Sequence, residues 1–298
     1  MRLLYPALSL LLLLLSLSCS PVSSGRPEAS TVEGAPLGKL FIIGGGKRPP
    51  ELLRALVKAS GIDTSGYAVV LPMSSSEPDT AAYYAVKQFG PLGIPAGQFA
   101  AFNFQKGDYP PGRVDSLRKA RLIYITGGDQ NQFMEVVAGS PVYDAIHEAY
   151  RNGATVAGTS AGAAVMSRLM ITGNEKRHPE YTGDFRTIEA DNMEIGEGLG
   201  LLPQAIVDQH FIWRMRMNRL MTVVLDHPEK VGIGIDESTA LLIEGGRFGK
   251  VYGGYQVIVL RHPSGRTIRQ GGLLGGRGLE LSVLLPGDTL QLSPLPNR

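Results

Sequence analysis

From Lys39 onward the chain repeats one local theme: a short apolar run ending on glycine or polar residues, then an apolar stripe at helical spacing. Lys39 to Ile43 stops at Gly44, Gly45 and Gly46, and Pro49 and Pro50 then open a helix with Leu52, Leu53, Leu56 and Val57 on one face. The theme returns at Tyr67 to Leu71 with a helix near Thr80 to Phe89, and at Leu122 to Ile125 with helices through Val137 and from Ala145 to Tyr150. It returns again at Thr155 to Ala157, followed by a helix from Ala161 to Met170. Such alternation predicts a parallel sheet covered by helices on both faces. From Val231 the pattern changes to short strands separated by glycine turns, "VGIGID", "TALLIEG", "GKVYGG" and "YQVIVLR", which predicts an antiparallel meander that closes the same domain.

In open sheets of this kind ligands bind beyond the carboxyl ends of the strands, so polar residues placed there carry the functional reading. "TVAGTSAGAAVMS" sets Ser160 in a Gly-x-Ser-x-Gly frame, Gly158 to Gly162, between a strand and a helix. That is the frame of a nucleophile elbow, where bulkier neighbours would collide with the sharply turned backbone. The same frame also serves tight packing of a helix on a sheet, so Ser160 needs partners before it means catalysis. A serine hydroxyl is a poor nucleophile without a base, and the base needs an acid to orient it. Of five histidines only His210, in "VDQHF", follows an apolar strand directly. His147 lies mid-helix, His178 sits in a polar loop, and His227 and His262 each precede a proline in surface-like contexts. Glu237, in "GIDES", stands at another strand end and is the candidate acid. The amides of "TGGDQNQ" are candidates to face an oxyanion. "GGGKRPP" satisfies neither nucleotide-binding pattern.

Composition restricts the alternatives. A formal charge of +2 with no basic run longer than two residues gives no nucleic-acid surface. The single cysteine and the absence of closely spaced histidines give no metal site, and no cofactor is expected. The N-terminus, Arg2 followed by apolar residues from Ala7 to Leu17, reads as a signal peptide over residues 1–19. Cys19, in "LSLSCS", stands where a bacterial lipoprotein carries its acylated cysteine, although Ser16 departs from the usual Leu. Residues 20–37 read as a flexible tether, and 38–298 as a single catalytic domain.

Taken together, "GGDQ", "AGTSAGAAVMS", "GLGLLP", "VDQHF", "RMRMNRL" and "GIGIDESTAL" resemble cyanophycinase and its relatives in the peptidase family that includes the aspartyl dipeptidases. The resemblance implies an α/β three-layer sandwich of the class I glutamine amidotransferase-like, flavodoxin-like type. It implies an exported serine exopeptidase releasing beta-aspartyl-arginine dipeptides from cyanophycin, with Ser160 as nucleophile, His210 as base, Glu237 as orienting acid, and Gly128 and Ala161 at the oxyanion hole. Gln130, Asp208, Gln209, Arg214, Arg216 and Arg219 would line the substrate groove.

Some relatives place the acid between serine and histidine, which keeps Glu189 and Asp191 as rivals to Glu237. The three arginines converge only if their helix starts irregularly. Residues 173–197 look longer and more acidic than the family pattern, and Glu175, Glu180, Asp184, Glu189 and Asp191 could receive substrate guanidinium groups. A related peptidase of other acidic dipeptides, or a non-catalytic peptide-binding lipoprotein, remain the alternatives. Expected partners are a peptide or cyanophycin-like polymer and, through Cys19, a bacterial membrane; a homodimer is left open. The expected location is periplasmic, extracellular or anchored to the membrane.

Overall fold

The computed structural model describes residues 35–180 and 182–292. The proposed signal peptide, Cys19 and nearly all of the tether lie outside these residues. In chain order the first half contains β1 (Lys39–Ile43), α1 (Pro50–Ser60), β2 (Ala68–Leu71), α2 (Pro78–Lys87) and β3 (Phe99–Ala101). Then follow α3 (Pro111–Arg118), β4 (Leu122–Ile125), α4 (Gln130–Val137), α5 (Pro141–Arg151), β5 (Thr155–Thr159) and α6 (Ala161–Ala164). The second half runs β6 (Leu169–Glu175), β7 (Met193–Glu197), β8 (Ala205–Gln209), α7 (Met217–Asp226), β9 (Val231–Ile235), β10 (Thr239–Glu244) and β11 (Phe248–Gly253). It ends with β12 (Val257–Arg261), β13 (Thr267–Gln270), β14 (Leu273–Gly276), β15 (Glu280–Leu284) and β16 (Thr289–Gln291).

The main sheet has the order β16-β11-β10-β1-β5-β4-β2-β3. Its strands from β1 to β3 are mutually parallel, and β10 and β11 extend it antiparallel. The strands of the parallel part are continuous apolar runs because both faces are covered. Phe41, Ile43, Val70 and Ala157 pack with α1 and α2 on one face. Leu40, Ile42, Val69 and Val156 pack on the other with α3, α4, α5 and the strands β8, β9 and β12. On α1 the predicted stripe is buried as expected, Leu52, Leu53, Leu56 and Val57, each side chain contributing about 1.5–3 kcal/mol. On α2 only the small residues Ala82 and Ala85 are buried, which brings this helix close to the sheet and leaves Tyr83 and Tyr84 exposed.

Two expectations are corrected. The helix after Ser160 is a single turn, Ala161–Ala164. It ends early because Leu199 and Leu202 donate backbone hydrogen bonds to the Val165 and Met166 carbonyls, which a longer helix would have used itself. The C-terminal strands do not form one meander. β9 and β12 belong to a second sheet of order β15-β12-β9-β8, while the hairpin β10–β11 between them joins the main sheet. The chain therefore crosses between sheets at Asp236, Glu237 and Ser238. This crossing follows from β9 pairing parallel to β8 while β10 pairs antiparallel to β1.

Register aligns the strand ends that matter. Ile43 pairs with Thr159 and Ile125 with Gly158, so Gly44, Thr126 and Ser160 emerge at one edge. In the second sheet Gln209 pairs with Ile235, so His210 and Asp236 emerge side by side.

Candidate active site

Ser160 has φ 54° and ψ −113°, a conformation that non-glycine residues rarely adopt. The surroundings hold it there. Its N–H donates to the Ile43 carbonyl at 3.0 Å, and its own carbonyl accepts from Ala163 and Ala164 in the single turn that follows. A side chain on Gly162 would lie 2.5 Å from the Ile125 carbonyl, and one on Gly158 would enter the Gly162 backbone. Both flanking glycines are thus required by close approach. The strained serine lines a cavity of about 270 Å³.

The ends of the paired strands β8 and β9 supply its neighbours His210 and Glu237. His210, also at positive φ (48°), is fixed by its N–H donating to Gly44 O at 2.7 Å. Its Nε2 lies 2.8 Å from Ser160 Oγ, and its Nδ1 lies 2.5 Å from Glu237 Oε1. A carboxylate can only accept, so Nδ1 carries the proton and Nε2 is the acceptor for the serine hydroxyl. Burial pushes the His210 pKa down, the hydrogen bond to Glu237 pulls it up, and the nearby Arg214 charge pushes it down again. The net effect is downward, which keeps the imidazole neutral near pH 7 and able to take a proton.

The other acidic candidates are engaged elsewhere. Glu189 accepts from Thr187 Oγ1 at 3.0 Å and lies 2.8 Å from His178 Nε2, and these bonds hold its pKa down. Asp191 pairs with Arg269 at 2.6 Å. Asp236, next to Glu237, accepts from the backbone N–H groups of Ile212 and Trp213 and so ties down the turn that follows His210.

Gly127 lies against the serine; a Cβ there would be 3.3 Å from that of Ser160. Gly128 has φ 137° and packs so closely on Ser74 that a side chain would strike the Ser74 carbonyl. Among the described residues the N–H groups of Gly128 and Ala161 donate to no protein acceptor, which leaves them available to a ligand oxygen. Gln130 is buried and donates its amide to the Ile171 and Thr172 carbonyls, so it anchors β6.

The arginine tail divides. Arg216 and Arg219 are only 3% and 2% exposed. Arg219 Nε donates to Asp208 Oδ2 at 2.8 Å, and Arg216 Nη1 donates to Gln209 O at 2.8 Å and to Gln209 Oε1 at 2.7 Å. Asp208 and Gln209 are buried with them. The expected array of three guanidinium groups facing substrate is therefore corrected: Arg214 alone is exposed, and the other two satisfy buried acceptors of β8. The register explains it, because α7 starts only at Met217 after a turn that folds Arg216 back beneath β8. His262, expected at the surface, is fully buried beside Gly276.

Sequence reasoning missed the role of Gly44, Gly45 and Gly46. A Cβ on Gly45 would lie 2.5 Å from His210 Nε2, and one on Gly46 would lie 2.6 Å from Glu237 Oε2. The glycine run that fails as a phosphate loop is the floor on which the histidine and glutamate lie. The missing signal was spacing: a triple glycine at a strand end needs a neighbour that fills the space.

Comparison with known proteins gives three findings. The description of peptidase family S51 matches residues 51–251. A cyanophycinase of Nostoc sp. is 31% identical over 262 residues, covering 85% of each chain, and one of Geminocystis herdmanii is 30% identical over 221 residues, covering 72% of this chain and 77% of the relative. The crystal structure of a peptidase from an acI-B1 Actinobacterium superposes with a TM-score of 0.61 at 22% identity, covering 87% of this chain and 98% of that one, and so shares the fold.

Proposed function

The chain belongs to peptidase family S51, and from that premise we propose that it is a cyanophycinase-like serine exopeptidase working through Ser160, His210 and Glu237. The observation that carries this reading is the unbroken relay from Ser160 Oγ through His210 to Glu237, at 2.8 and 2.5 Å, on a serine held at positive φ. In the reaction His210 Nε2 takes the Ser160 proton while Oγ attacks the scissile carbonyl carbon. Glu237 stabilises the imidazolium. The amides of Gly128 and Ala161 are the candidate donors to the tetrahedral oxyanion. Collapse breaks the C–N bond, His210 gives its proton to the departing amine, and water activated by the same imidazole releases the acyl group.

The proposed substrate is cyanophycin, cut to beta-aspartyl-arginine dipeptides, in keeping with the relatives' name. The test is incubation of the wild type and Ser160→Ala with cyanophycin, with dipeptide release measured by mass. Release by the wild type alone supports the reading. Equal release by both refutes the mechanism, and cleavage of other acidic isopeptides without cyanophycin replaces the substrate. Export with acylation at Cys19 is part of the proposal and is tested by the N-terminus of the mature protein; any residue other than 19 removes the anchor.

A further inference from the structure

The cavity beside Ser160 extends away from the buried arginines, toward the other face of the main sheet. Its walls come from residues at and after the carboxyl ends of β1, β4 and β5 and from Ala81, Tyr84 and Ala85 on one side of α2, where the two alanines leave room beside the exposed Tyr84. Arg48, from the loop after β1, lines it and is, among the described residues, the only Lys, Arg, Asp or Glu side chain that does. The guanidinium is oriented: Nε donates to Gln88 Oε1 at 2.5 Å and Nη1 to the Gly46 carbonyl at 3.1 Å. Neither acceptor is charged, and Arg48 has no carboxylate partner among the described residues. Among the described residues its Nη2 donates to no acceptor.

Two further wall residues carry unused hydrogen-bonding groups. Tyr124, in β4, and Thr159, at the end of β5, line the cavity, and their buried hydroxyls have no hydrogen-bond partner among the described residues. A buried polar group without a partner costs about 1–3 kcal/mol, so two of them flanking one cavity call for a ligand that satisfies them. An oriented cation without an anion, beside two unpaired hydroxyls, fits a carboxylate. The volume is below the range of about 300–1,000 Å³ of pockets for drug-sized ligands, which suits one short acidic side chain or chain terminus.

We propose that Arg48, with the hydroxyls of Tyr124 and Thr159, forms a carboxylate-binding subsite that holds an acidic group of the substrate next to the bond presented to Ser160. This subsite rests on the reading of Ser160 as nucleophile, but its position can be tested without turnover. In the Ser160→Ala protein, calorimetric titration compares N-acetyl-aspartate with N-acetyl-asparagine, which differ by one carboxylate. The expected result is at least tenfold tighter binding of the aspartate, falling to less than threefold when Arg48→Gln is added. Tyr124→Phe should reduce the preference partway while the protein remains folded by circular dichroism.

Charge reversal adds a readout that a purely structural arginine would not move: Arg48→Glu should invert the preference toward N-acetyl-2,4-diaminobutyrate amide, a cationic probe of similar length. Equal affinity for the two acetyl amino acids, or a preference that survives Arg48→Gln, overturns the subsite. Separately, a fluorophosphonate reagent reports on Ser160 in the wild type. Failure of that labelling would strike the proposed nucleophile and leave the binding result standing on its own.

Discussion

Gly45→Ala is the sharpest test of how the site is built, because it adds one methyl group while leaving the chemistry of Ser160, His210 and Glu237 unchanged. That methyl would start 2.5 Å from His210 Nε2 and 2.8 Å from Nδ1. Unstrained non-bonded contacts lie near 3.5 Å, so the ring must retreat by about 1 Å. His210 cannot retreat without lengthening at least one of its bonds to Ser160 and Glu237, now 2.8 and 2.5 Å. A misplacement of that size costs on the order of 10²-fold in rate. The backbone adds its own penalty, since φ is 118° at Gly45, a strained conformation for alanine worth about 1–3 kcal/mol. The expected outcome is kcat reduced on the order of 10²-fold with KM little changed, and a urea midpoint lowered by the equivalent of about 1–3 kcal/mol. Gly97→Ala, where a Cβ meets nothing within 4 Å, is the control and should leave both unchanged. Hydrolysis by Gly45→Ala within threefold of the wild type would show that the glycine floor does not position His210.

Glu237→Gln should cost far more activity than Glu189→Gln, on the order of 10⁴-fold by analogy with the best-studied triad, because the neutral amide no longer fixes the imidazole tautomer; comparable losses in kcat would shift the acid to the loop. His210 is held below the ordinary imidazole pKa by burial first, with the Arg214 charge adding to it, so kcat/KM should rise with pH through a value below about 6.5. Arg214→Gln removes a repelling cation, raises that pKa and should move the acidic limb to higher pH; a shift in the opposite direction in the pH–rate profile would contradict the assignment. The same depression means that the unfolded chain binds more protons, so stability contributed at this residue is present above about pH 6.5 and lost as the pH falls toward the folded-state pKa. Arg219→Met removes the guanidinium that hydrogen-bonds Asp208, leaving Arg216 Nη1 at 3.8 Å as the buried cation beside it, and should destabilise by about 3 kcal/mol, the lower end for a broken buried pair, in denaturant unfolding. Near-wild-type stability with selective loss of substrate binding would return Arg219 to the groove.

Local sequence determined the parallel half of the fold. Continuous apolar runs such as "LFII" and "LIYI", bounded by glycines and alternating with helical stripes such as Leu52, Leu53, Leu56 and Val57, are the pattern of strands buried on both faces beneath covering helices. The Gly-x-Ser-x-Gly frame likewise announced a forced turn at Ser160, because the steric demand lies within five residues. His210 was legible as a polar residue placed directly after an apolar strand. What periodicity could not report was the assignment of strands to sheets. "VGIGID" and "TALLIEG" look alike, yet one pairs with β8 and the next with β1. That crossing sends Glu237 toward His210 and Asp236 toward the backbone of the following turn, a division two adjacent carboxylates cannot show in sequence. The arginine tail failed for the same reason: charged residues look solvent-facing until a buried partner is known, and Asp208 becomes that partner only when the turn after His210 folds α7 against β8. Backbone geometry is encoded nearby, so sequence shows it. Which buried charge meets which, and which glycine makes room for which ring, depends on register between residues far apart in the chain, and only the tertiary structure decides it.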